Sequence, residues 1–509
     1  MGEILALDIG GTTVKVGRVG PDLGLRGEVV VRPIRSSGSA EAIEEDLRSA
    51  VGAAMRGDVP VEGVGVALPD PADYLTGTLW MEHKLAALKG RSLVPLLGGR
   101  DRPVAFVNDA EAFALGEAVR GAGQGGGRLL AVTLGTGFGS AFLDGLEALS
   151  TGPGVPPLGR LWNQPFAEGP ETIEARLGRA ALEACYVALG GEAGVSLAEA
   201  AERARRGEAA ALALFAELAV RLAQGLASPV RAFRPDRIVV GGAVAQSHAL
   251  FLPAAEVALA EALGHRVPLL PSALGRGAAL TGAAWVLGER RKRFARRRTI
   301  YLHGFASSPG STKAVRFAEA FASLGAELEV PDLNEGSFTE LTLSRQLALL
   351  DRLTQGAPDG SVLLVGSSLG AYAAALFAAR SRRVAALVLM APAFEFLDRW
   401  AARLGPETLA EWKRAGTVEV MHHAYGRPLP IGYALMEDAR RHAAYPDVRV
   451  PTLVLHGRHD ETVDAEVSSR FAAERPNVEL VLLDADHSLG AVLPELVRRA
   501  IAFLEPWLG

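Results

Sequence analysis

The chain has 509 residues, of which 49% are hydrophobic and 22% are charged, and its formal net charge is −5. This length exceeds what one ordinary hydrophobic core serves, so two or three domains are expected. The nearly balanced charge argues against a general nucleic-acid-binding surface. The single cysteine, Cys185, excludes an intrachain disulfide and a cysteine-based zinc cluster.

The sequence carries no pattern typical of export or membrane insertion. The N-terminus leads directly into a strand pattern, without the regions of a signal peptide. No stretch of about 18 uncharged apolar residues, the length a membrane-spanning helix needs, is present. We therefore expect a cytoplasmic protein with neither a membrane nor a nucleic acid as partner.

The first predicted element is a hairpin of two strands, Ile4–Asp8 and Val14–Val19. Glycines in its turn let backbone amides approach a ligand closely, threonines add hydroxyl donors, and a carboxylate at a strand end can hold hydrated Mg²⁺. An ordinary tight hairpin explains this segment about equally well. The candidate phosphate-binding residues are Gly10, Gly11, Thr12 and Thr13, and the candidate metal ligand is Asp8.

A second hairpin repeats the pattern. Leu129–Ala141 reads LLAVTLGTGFGSA, against ILALDIGGTTVKV at Ile4–Val16. Two such hairpins predict a duplicated fold that faces one polyphosphate from two sides. The turn of this copy contains Gly135, Thr136 and Gly137. The pair Gly241 and Gly242, which follows a further strand, is a candidate contact for adenosine or phosphate.

Between the two hairpins, a buried strand ends at Val107, and Asn108 and Asp109 begin an amphipathic helix. A carboxylate at a strand end, facing a phosphate-binding cleft, suits a general base that accepts a proton from an attacking hydroxyl. The alternative is that Asp109 only caps the helix. The flanking hairpins favour the general base.

Five segments together carry a family resemblance. DIGGTTVKVG, VGVALPDP, VNDAEAFALGE, LGTGFGSAFLDG and RIVVGGAV resemble, in order and spacing, the ROK group of sugar kinases and repressors, over about residues 3–288. The resemblance implies an actin-like, hexokinase-like fold with two duplicated ribonuclease H-like lobes, and ATP with Mg²⁺ in the cleft. It implies that Asp109 is the catalytic base and Asn108 a sugar contact. It also implies that Asp8 and the two hairpin turns hold phosphates and metal, and it favours a homodimer.

One motif departs from that pattern. Sugar-phosphorylating members usually carry Glu-x-Gly-His after the second hairpin, and the best counterpart here is Pro157-Leu158-Gly159-Arg160. The sugar-binding Glu and His would then be replaced by Pro157 and Arg160. An arginine at this position would favour an anionic or otherwise unusual substrate, or no catalysis.

A basic segment follows, Glu289–Arg298, with the sequence ERRKRFARRR. Such a run cannot be buried cheaply, which predicts a solvated linker or an exposed helix end. Since a new strand pattern begins after it, we place a domain boundary here. The predicted domains are residues 1–288 and 299–509, joined by a basic linker at 289–298.

The second half contains a nucleophile motif. Gly366-Ser367-Ser368-Leu369-Gly370 lies between a buried strand and an Ala-rich helix, which is the context that G-x-S-x-G requires. Ser368 is therefore the candidate nucleophile, although a packed turn would show the same letters. The candidate oxyanion donors are the backbone amides of Phe305, in an early His-Gly-Phe loop, and Leu369.

The remaining triad members should follow in the order acid, then histidine. Asp460 lies in the loop after one strand, with Glu461 as the weaker alternative, and His487 lies in the loop after the next. Three other histidines occur too early in the chain to be the base: His303, His456 and His459. Ser368, His487 and Asp460 are thus predicted to be nucleophile, proton shuttle and imidazole orienter.

Six strands alternate with helices in this half, which predicts a doubly wound parallel sheet. Phe394–Tyr445 interrupts the alternation and predicts a small helical cap over the site. It contains the aromatic and Met residues Trp400, Trp412, Met421, Tyr425 and Tyr433. The half resembles the α/β-hydrolase family and, through YLHGFASSPGSTK followed by VPDL, small bacterial cytoplasmic esterases and thioesterases.

Two functional hypotheses follow. The first is a bifunctional enzyme that combines a serine hydrolase for esters or thioesters with an ATP- and Mg²⁺-dependent kinase for a sugar or sugar-like substrate. The second keeps the hydrolase and makes the first half a non-catalytic nucleotide or sugar sensor. The presence of Asp109 favours the first hypothesis, and the departure at Pro157 and Arg160 favours the second.

Overall fold

The structure is a computed structural model that describes residues 2–55, 59–98, 102–167 and 169–507. The chain divides into two compact units, Met1–Glu289 and Arg290–Gly509. The basic run predicted as a linker is largely helical: helix α9, Ala278–Ala295, continues through it, and the next strand starts at Arg298. Arg and Lys are good helix formers, so the helix-end alternative describes this segment better than a loop.

The first unit contains twelve strands and nine helices among the described residues, apart from short 3₁₀ turns. The strands are β1 Glu3–Ile9, β2 Thr13–Val19, β3 Leu25–Pro33, β4 Val61–Leu68, β5 Ala72–Asp73, β6 Thr78–Leu79, β7 Val104–Asn108, β8 Arg128–Leu134, β9 Phe138–Asp144, β10 Glu147–Leu149, β11 Arg237–Gly241 and β12 Leu269–Pro271. The helices, α9 included, are α1 Ala40–Ala54, α2 Val94–Leu97, α3 Asp109–Arg120, α4 Ile173–Leu177, α5 Arg179–Ala188, α6 Leu197–Arg205, α7 Ala209–Phe233 and α8 Leu252–Leu263.

Two five-stranded sheets of the same topology form this unit. Their strand orders are β3-β2-β1-β4-β7 and β10-β9-β8-β11-β12. In each, three antiparallel strands are followed by two parallel ones. The two predicted hairpins, β1–β2 and β8–β9, occupy equivalent positions. The predicted duplication of the fold is therefore confirmed.

Helix α7 is the only helix among the described residues that is long and apolar enough, by length and composition, to cross a membrane. Half of its most apolar window is buried, and residues such as Leu214, Phe215, Leu218 and Leu222 pack in the core of the second lobe. The core helix of a globular protein can be equally long and apolar, and the burial of this apolar stripe accounts for the composition of α7.

The second unit alternates strands and helices. Its strands are β13 Arg298–Leu302, β14 Leu328–Glu329, β15 Val362–Ser367, β16 Val384–Met390, β17 Thr417–His422, β18 Arg427–Gly432, β19 Thr452–Gly457 and β20 Val478–Leu483. Its helices are α10 Thr312–Ser323, α11 Leu343–Leu353, α12 Leu369–Ala378, α13 Phe396–Ala415, α14 Ala434–Ala439, α15 Ala465–Ala473 and α16 Leu493–Leu504.

Six of these strands form one parallel sheet of order β14-β13-β15-β16-β19-β20. They are the six strands that the sequence predicts, with small differences at their ends. The central strand β15 is fully buried, as its uninterrupted apolar sequence requires. Because the strands are parallel, the loops after β13, β15, β19 and β20 lie at the same edge of the sheet.

The predicted helical cap, residues 394–445, is only partly helical. It contains α13 and α14, but also the antiparallel hairpin β17–β18. The sequence does not indicate this hairpin, because its short alternating apolar runs lie between two helical segments. Trp412 is buried inside the cap and donates its indole N–H to the carbonyl oxygen of Ile431 at 3.0 Å, whereas Met421 and Tyr425 are exposed.

Candidate active sites

The two hairpin turns of the first unit have similar closures. The amide of Gly10 donates to the carbonyl oxygen of Thr13 at 2.9 Å, and the amide of Gly135 donates to that of Gly137 at 3.0 Å. Thr12 and Thr136, at the tips, are exposed. Both turns therefore present small residues and accessible hydroxyls, which suits contact with phosphate.

Asp8 lies one residue before the end of strand β1, and its carboxylate pairs with the Lys15 ammonium at 2.5 Å. Among the described residues, no group of three His, Cys, Asp or Glu side chains is arranged to hold a metal ion. A magnesium ion in a phosphoryl-transfer site is commonly held by only one or two carboxylates together with the phosphates. Asp8 is compatible with such a site.

Asp109 is the first residue of α3, and its neighbour Asn108 is the helix cap. The Asn108 side-chain oxygen accepts from the amides of Ala110 and Glu111 at 3.0 and 3.2 Å. Asn108 is therefore the cap residue of α3, while Asp109 Oδ1 accepts from the Ala110 amide at 2.8 Å. Burial, together with the nearby charge of Asp8, raises the pKa of Asp109 to about 6. A carboxyl group tuned in this way suits a general base near neutral pH.

Asn108 is also tied to residues that the sequence analysis did not single out. Its side-chain nitrogen donates to the Tyr74 hydroxyl at 3.1 Å, and that hydroxyl donates to Asp70 Oδ1 at 2.5 Å. Burial and the adjacent Asp70 carboxylate raise the pKa of Tyr74, which keeps it a neutral donor. Asn108 therefore orients a polar chain beside Asp109.

Arg160, at the position where the family pattern has histidine, is held by two carboxylates. It pairs with Asp70, and its Nη1 lies 3.5 Å from Glu111 Oε1. Only 11% of its side chain is exposed. Two carboxylates thus already compensate the charge of Arg160, which weakens the electrostatic reason to expect an anionic substrate.

The Gly241–Gly242 pair has a packing role. A Cβ on Gly242, whose φ is 91°, would lie 2.2 Å from the Leu134 carbonyl oxygen, and one on Gly241 would lie 2.3 Å from the Phe113 ring. Close packing therefore requires both glycines. A contact with the nucleotide at this pair stays a prediction.

In the second unit, Ser368 lies on a sharp turn between β15 and α12, with φ of 53° and ψ of −116°. A Cβ on Gly366 would lie 2.5 Å from Ala371 Cα, and one on Gly370 would lie 2.4 Å from the carbonyl oxygens of Leu302 and His303. Both glycines of the motif are thus needed for the strained serine turn to fit.

The predicted triad residues come together. His487 Nε2 lies 3.2 Å from Ser368 Oγ, and His487 Nδ1 lies 2.7 Å from Asp460 Oδ2. Asp460 Oδ1 accepts from the amides of Thr462 and Val463 at 2.9 and 2.7 Å. These contacts have the order and reach of a nucleophile, base and orienting acid.

His456, set aside as a competing base, lies behind the acid. Its Nε2 is 3.0 Å from Asp460 Oδ2 and 2.8 Å from the carbonyl oxygen of Val463, so this nitrogen carries the proton. Its Nδ1 lies 2.7 Å from Ser468 Oγ. Burial alone would raise the pKa of Asp460, but hydrogen bonds from His456 and His487 outweigh it and hold that pKa well below its usual range. The order of the motifs along the chain does not predict the contact between His456 and Asp460.

The other two competing histidines do not meet the serine. His303 is buried, with Nδ1 3.0 Å from the carbonyl oxygen of Gly304, and its Nε2 accepts from the Leu333 amide at 3.0 Å. His459 is exposed and pairs with Asp484 at 2.8 Å. Glu461, the alternative acid, is exposed, whereas Asp460 is the carboxylate that contacts His487.

The predicted oxyanion amides flank the serine. A Cβ on Gly304, next to Phe305, would lie 3.3 Å from Ser368 Cβ. Leu369 directly follows Ser368 at the start of α12. Among the described residues, the amides of Phe305 and Leu369 donate to no acceptor. The Phe305 ring meets Trp400 of the cap at 5.1 Å between centroids, so the cap borders this edge.

Comparison with known proteins assigns the two units separately. The model of the ROK family matches residues 4–290, and that of an uncharacterised protein family, UPF0227, matches residues 298–505. A glucokinase from Thermotoga maritima is 26% identical over 312 residues, which cover 57% of this chain and 98% of the relative.

Solved structures similar to the chain include a ROK family glucokinase from Streptomyces griseus in complex with glucose and AMPPNP. It is 26% identical, with a TM-score of 0.49, and the match covers 56% of this chain and 98% of that one. A ROK hexokinase from Thermus thermophilus is 29% identical, with a TM-score of 0.45, and covers 56% and 97% respectively.

Proposed function

The chain belongs to the ROK family through residues 4–290, and from this premise we propose that its first unit phosphorylates a hydroxyl group of a sugar or sugar-like substrate with ATP. The observation that carries the proposal is Asp109, which follows strand β7 as the first residue of α3 and whose pKa is raised to about 6 by burial and by the nearby Asp8. The similarity to a glucokinase over nearly all of that relative's length supports it.

In this reaction Asp109 takes the proton of the acceptor hydroxyl as that oxygen bonds to the transferred phosphorus and the bond to the leaving diphosphate breaks. The turns at Gly10–Thr13 and Gly135–Gly137 contact the phosphates. Asp8 would hold Mg²⁺, which neutralises phosphate charge when bound. Asn108 and the Tyr74–Asp70 chain orient the acceptor beside Asp109.

We further propose that residues 299–509 form an α/β-hydrolase domain that cleaves an ester or thioester, with 289–298 joining the two domains. The observation that carries this proposal is the Ser368–His487–Asp460 arrangement on a strained strand-turn-helix. The parallel sheet and the cap bordering Phe305 are consistent with it.

Ser368 Oγ would attack the acyl carbon while His487 takes its proton, and the amides of Phe305 and Leu369 would stabilise the oxyanion. The leaving alcohol or thiol departs with the proton from His487. Water, deprotonated by the same histidine, then hydrolyses the acyl-serine and restores the enzyme.

One variant tests each activity and serves as control for the other. We expect Asp109→Ala to abolish ATP-dependent phosphorylation across a panel of sugars while ester hydrolysis is retained. Ser368→Ala should abolish hydrolysis of nitrophenyl esters and acyl thioesters while phosphorylation is retained. Turnover that persists in either variant would contradict the corresponding assignment.

The second candidate for the first unit is a nucleotide or sugar sensor. It is favoured by Arg160, which stands where the family pattern has a sugar-binding histidine and is engaged by Asp70 and Glu111. Nucleotide binding by the native protein without turnover of any acceptor would support the sensor.

A further inference from the structure

Lys84 belongs to none of the motifs recognised in the sequence, but its backbone is firmly placed beside the first phosphate turn. Two nearby residues, Met81 and Leu85, are fully buried. The Leu85 amide donates to the carbonyl oxygen of Ser36 at 2.8 Å. The segment that carries Lys84 is therefore anchored in the first lobe.

The side chain of Lys84 extends over the turn. A Cβ on Gly11 would lie 3.3 Å from Lys84 Cδ, so the aliphatic stem of the lysine packs against Gly11. Its ammonium charge also favours the ionised form of Asp109. Lys84 thus packs on the turn, and its charge acts on the proposed general base.

Within residues 2–55, 59–98, 102–167 and 169–507, Lys84 forms no ion pair or hydrogen bond, although its side chain is half-buried. The neighbouring lysines differ, since Lys15 pairs with Asp8 and Lys89 pairs with Glu82. In the same described ranges, the amide of Gly11 donates to no acceptor. A cation and a free amide beside one turn are complementary to a phosphate.

We propose that Lys84 is a catalytic residue that binds the phosphoryl group being transferred, an inference that rests on the proposed kinase function. The phosphoryl group lies between the leaving diphosphate and the hydroxyl that Asp109 deprotonates. As the donor bond breaks and the acceptor bond forms, the Lys84 ammonium stabilises negative charge on the phosphoryl oxygens. The lysine gains and loses no proton.

The test compares the affinities of the full chain for two nucleotides, measured by isothermal titration calorimetry with Mg²⁺. ADP lacks the transferred group, and a non-hydrolysable ATP analogue has it. We expect Lys84→Met to bind the analogue about 10-fold or more weakly and ADP as tightly as the native protein. Lys84→Arg should keep most of the affinity for the analogue.

Lys89→Met is the matched control, because Lys89 lies on the same segment but pairs with Glu82. It should bind both nucleotides as the native protein does. Unchanged analogue binding in Lys84→Met, or equal weakening for both nucleotides, would overturn the role of Lys84. If the native protein binds neither nucleotide, the kinase proposal itself fails, and the role of Lys84 fails with it. Thermal melting establishes that each variant is folded.

Discussion

His456 Nε2 lies 3.0 Å from Asp460 Oδ2, the carboxylate oxygen that His487 also contacts. Asp460 is therefore held from two sides, by His487, which contacts Ser368, and by the fully buried His456, which does not contact Ser368. A carboxylate fixed by several donors keeps its orientation and its charge, and both properties help it orient the imidazole.

We expect His456→Ala to lower kcat for ester hydrolysis by about 10- to 100-fold, because Asp460 loses a donor and can rotate away from His487. His456→Gln, which retains an N–H donor, should recover part of the activity. Loss of this hydrogen bond should also raise the pKa of Asp460, which the hydrogen bond lowers. Reduced thermal stability with unchanged kcat would show a purely structural role.

Gly370, two residues after Ser368, has no room for a side chain. We expect Gly370→Ala to destabilise the second unit by about 1–3 kcal/mol, because a Cβ would meet the Leu302 and His303 carbonyl oxygens at 2.4 Å. The rate of ester hydrolysis should also fall in this variant, because the turn that carries Ser368 shifts. The control is Gly310→Ala, whose Cβ would meet only Ser308 Oγ at 3.7 Å. Equal melting temperatures for the two variants would contradict the packing argument.

The raised pKa of Asp109 sets the pH dependence of phosphorylation. The base acts when ionised, so kcat/KM should be level above pH about 6 and fall about tenfold per pH unit below it. Lys84→Met should move this limb to higher pH, because the ammonium favours the ionised carboxylate. A profile without a break near pH 6 would contradict the assignment of Asp109 as the base.

The charge balance around Arg160 predicts the acceptor class. Because Asp70 and Glu111 already compensate the guanidinium, a neutral or amino sugar should exceed the corresponding sugar acid in kcat/KM by about tenfold or more. Asp70→Asn removes one compensating charge, so it should reduce the difference in kcat/KM between the neutral or amino sugar and the sugar acid. A native preference for sugar acids would mean that Arg160 leaves Asp70 to bind the substrate.

Much of the fold could be predicted because its signals are local. The repeat of ILALDIGGTTVKV in LLAVTLGTGFGSA marks two hairpins, and two sheets of equal topology contain them. The six strands of the parallel sheet in the second half are readable from apolar runs and turns. The cap hairpin is not predictable from the sequence, because residues 417–432 have short alternating apolar runs beside helical segments, and a local pattern does not decide between strand and helix there.

By itself, the sequence determined the motifs, their order and the residue types available for chemistry: a G-x-S-x-G elbow, a late histidine and a carboxylate after a strand. Only the tertiary structure decided which distant side chains meet. The Asp70–Arg160 ion pair joins residues 90 positions apart, and the contacts of His456 with Asp460 and of Lys84 with Gly11 depend on how strands and loops pack. Such contacts carry no local periodicity, since their partners are selected by chain folding and by the energetic cost of leaving a buried charge uncompensated.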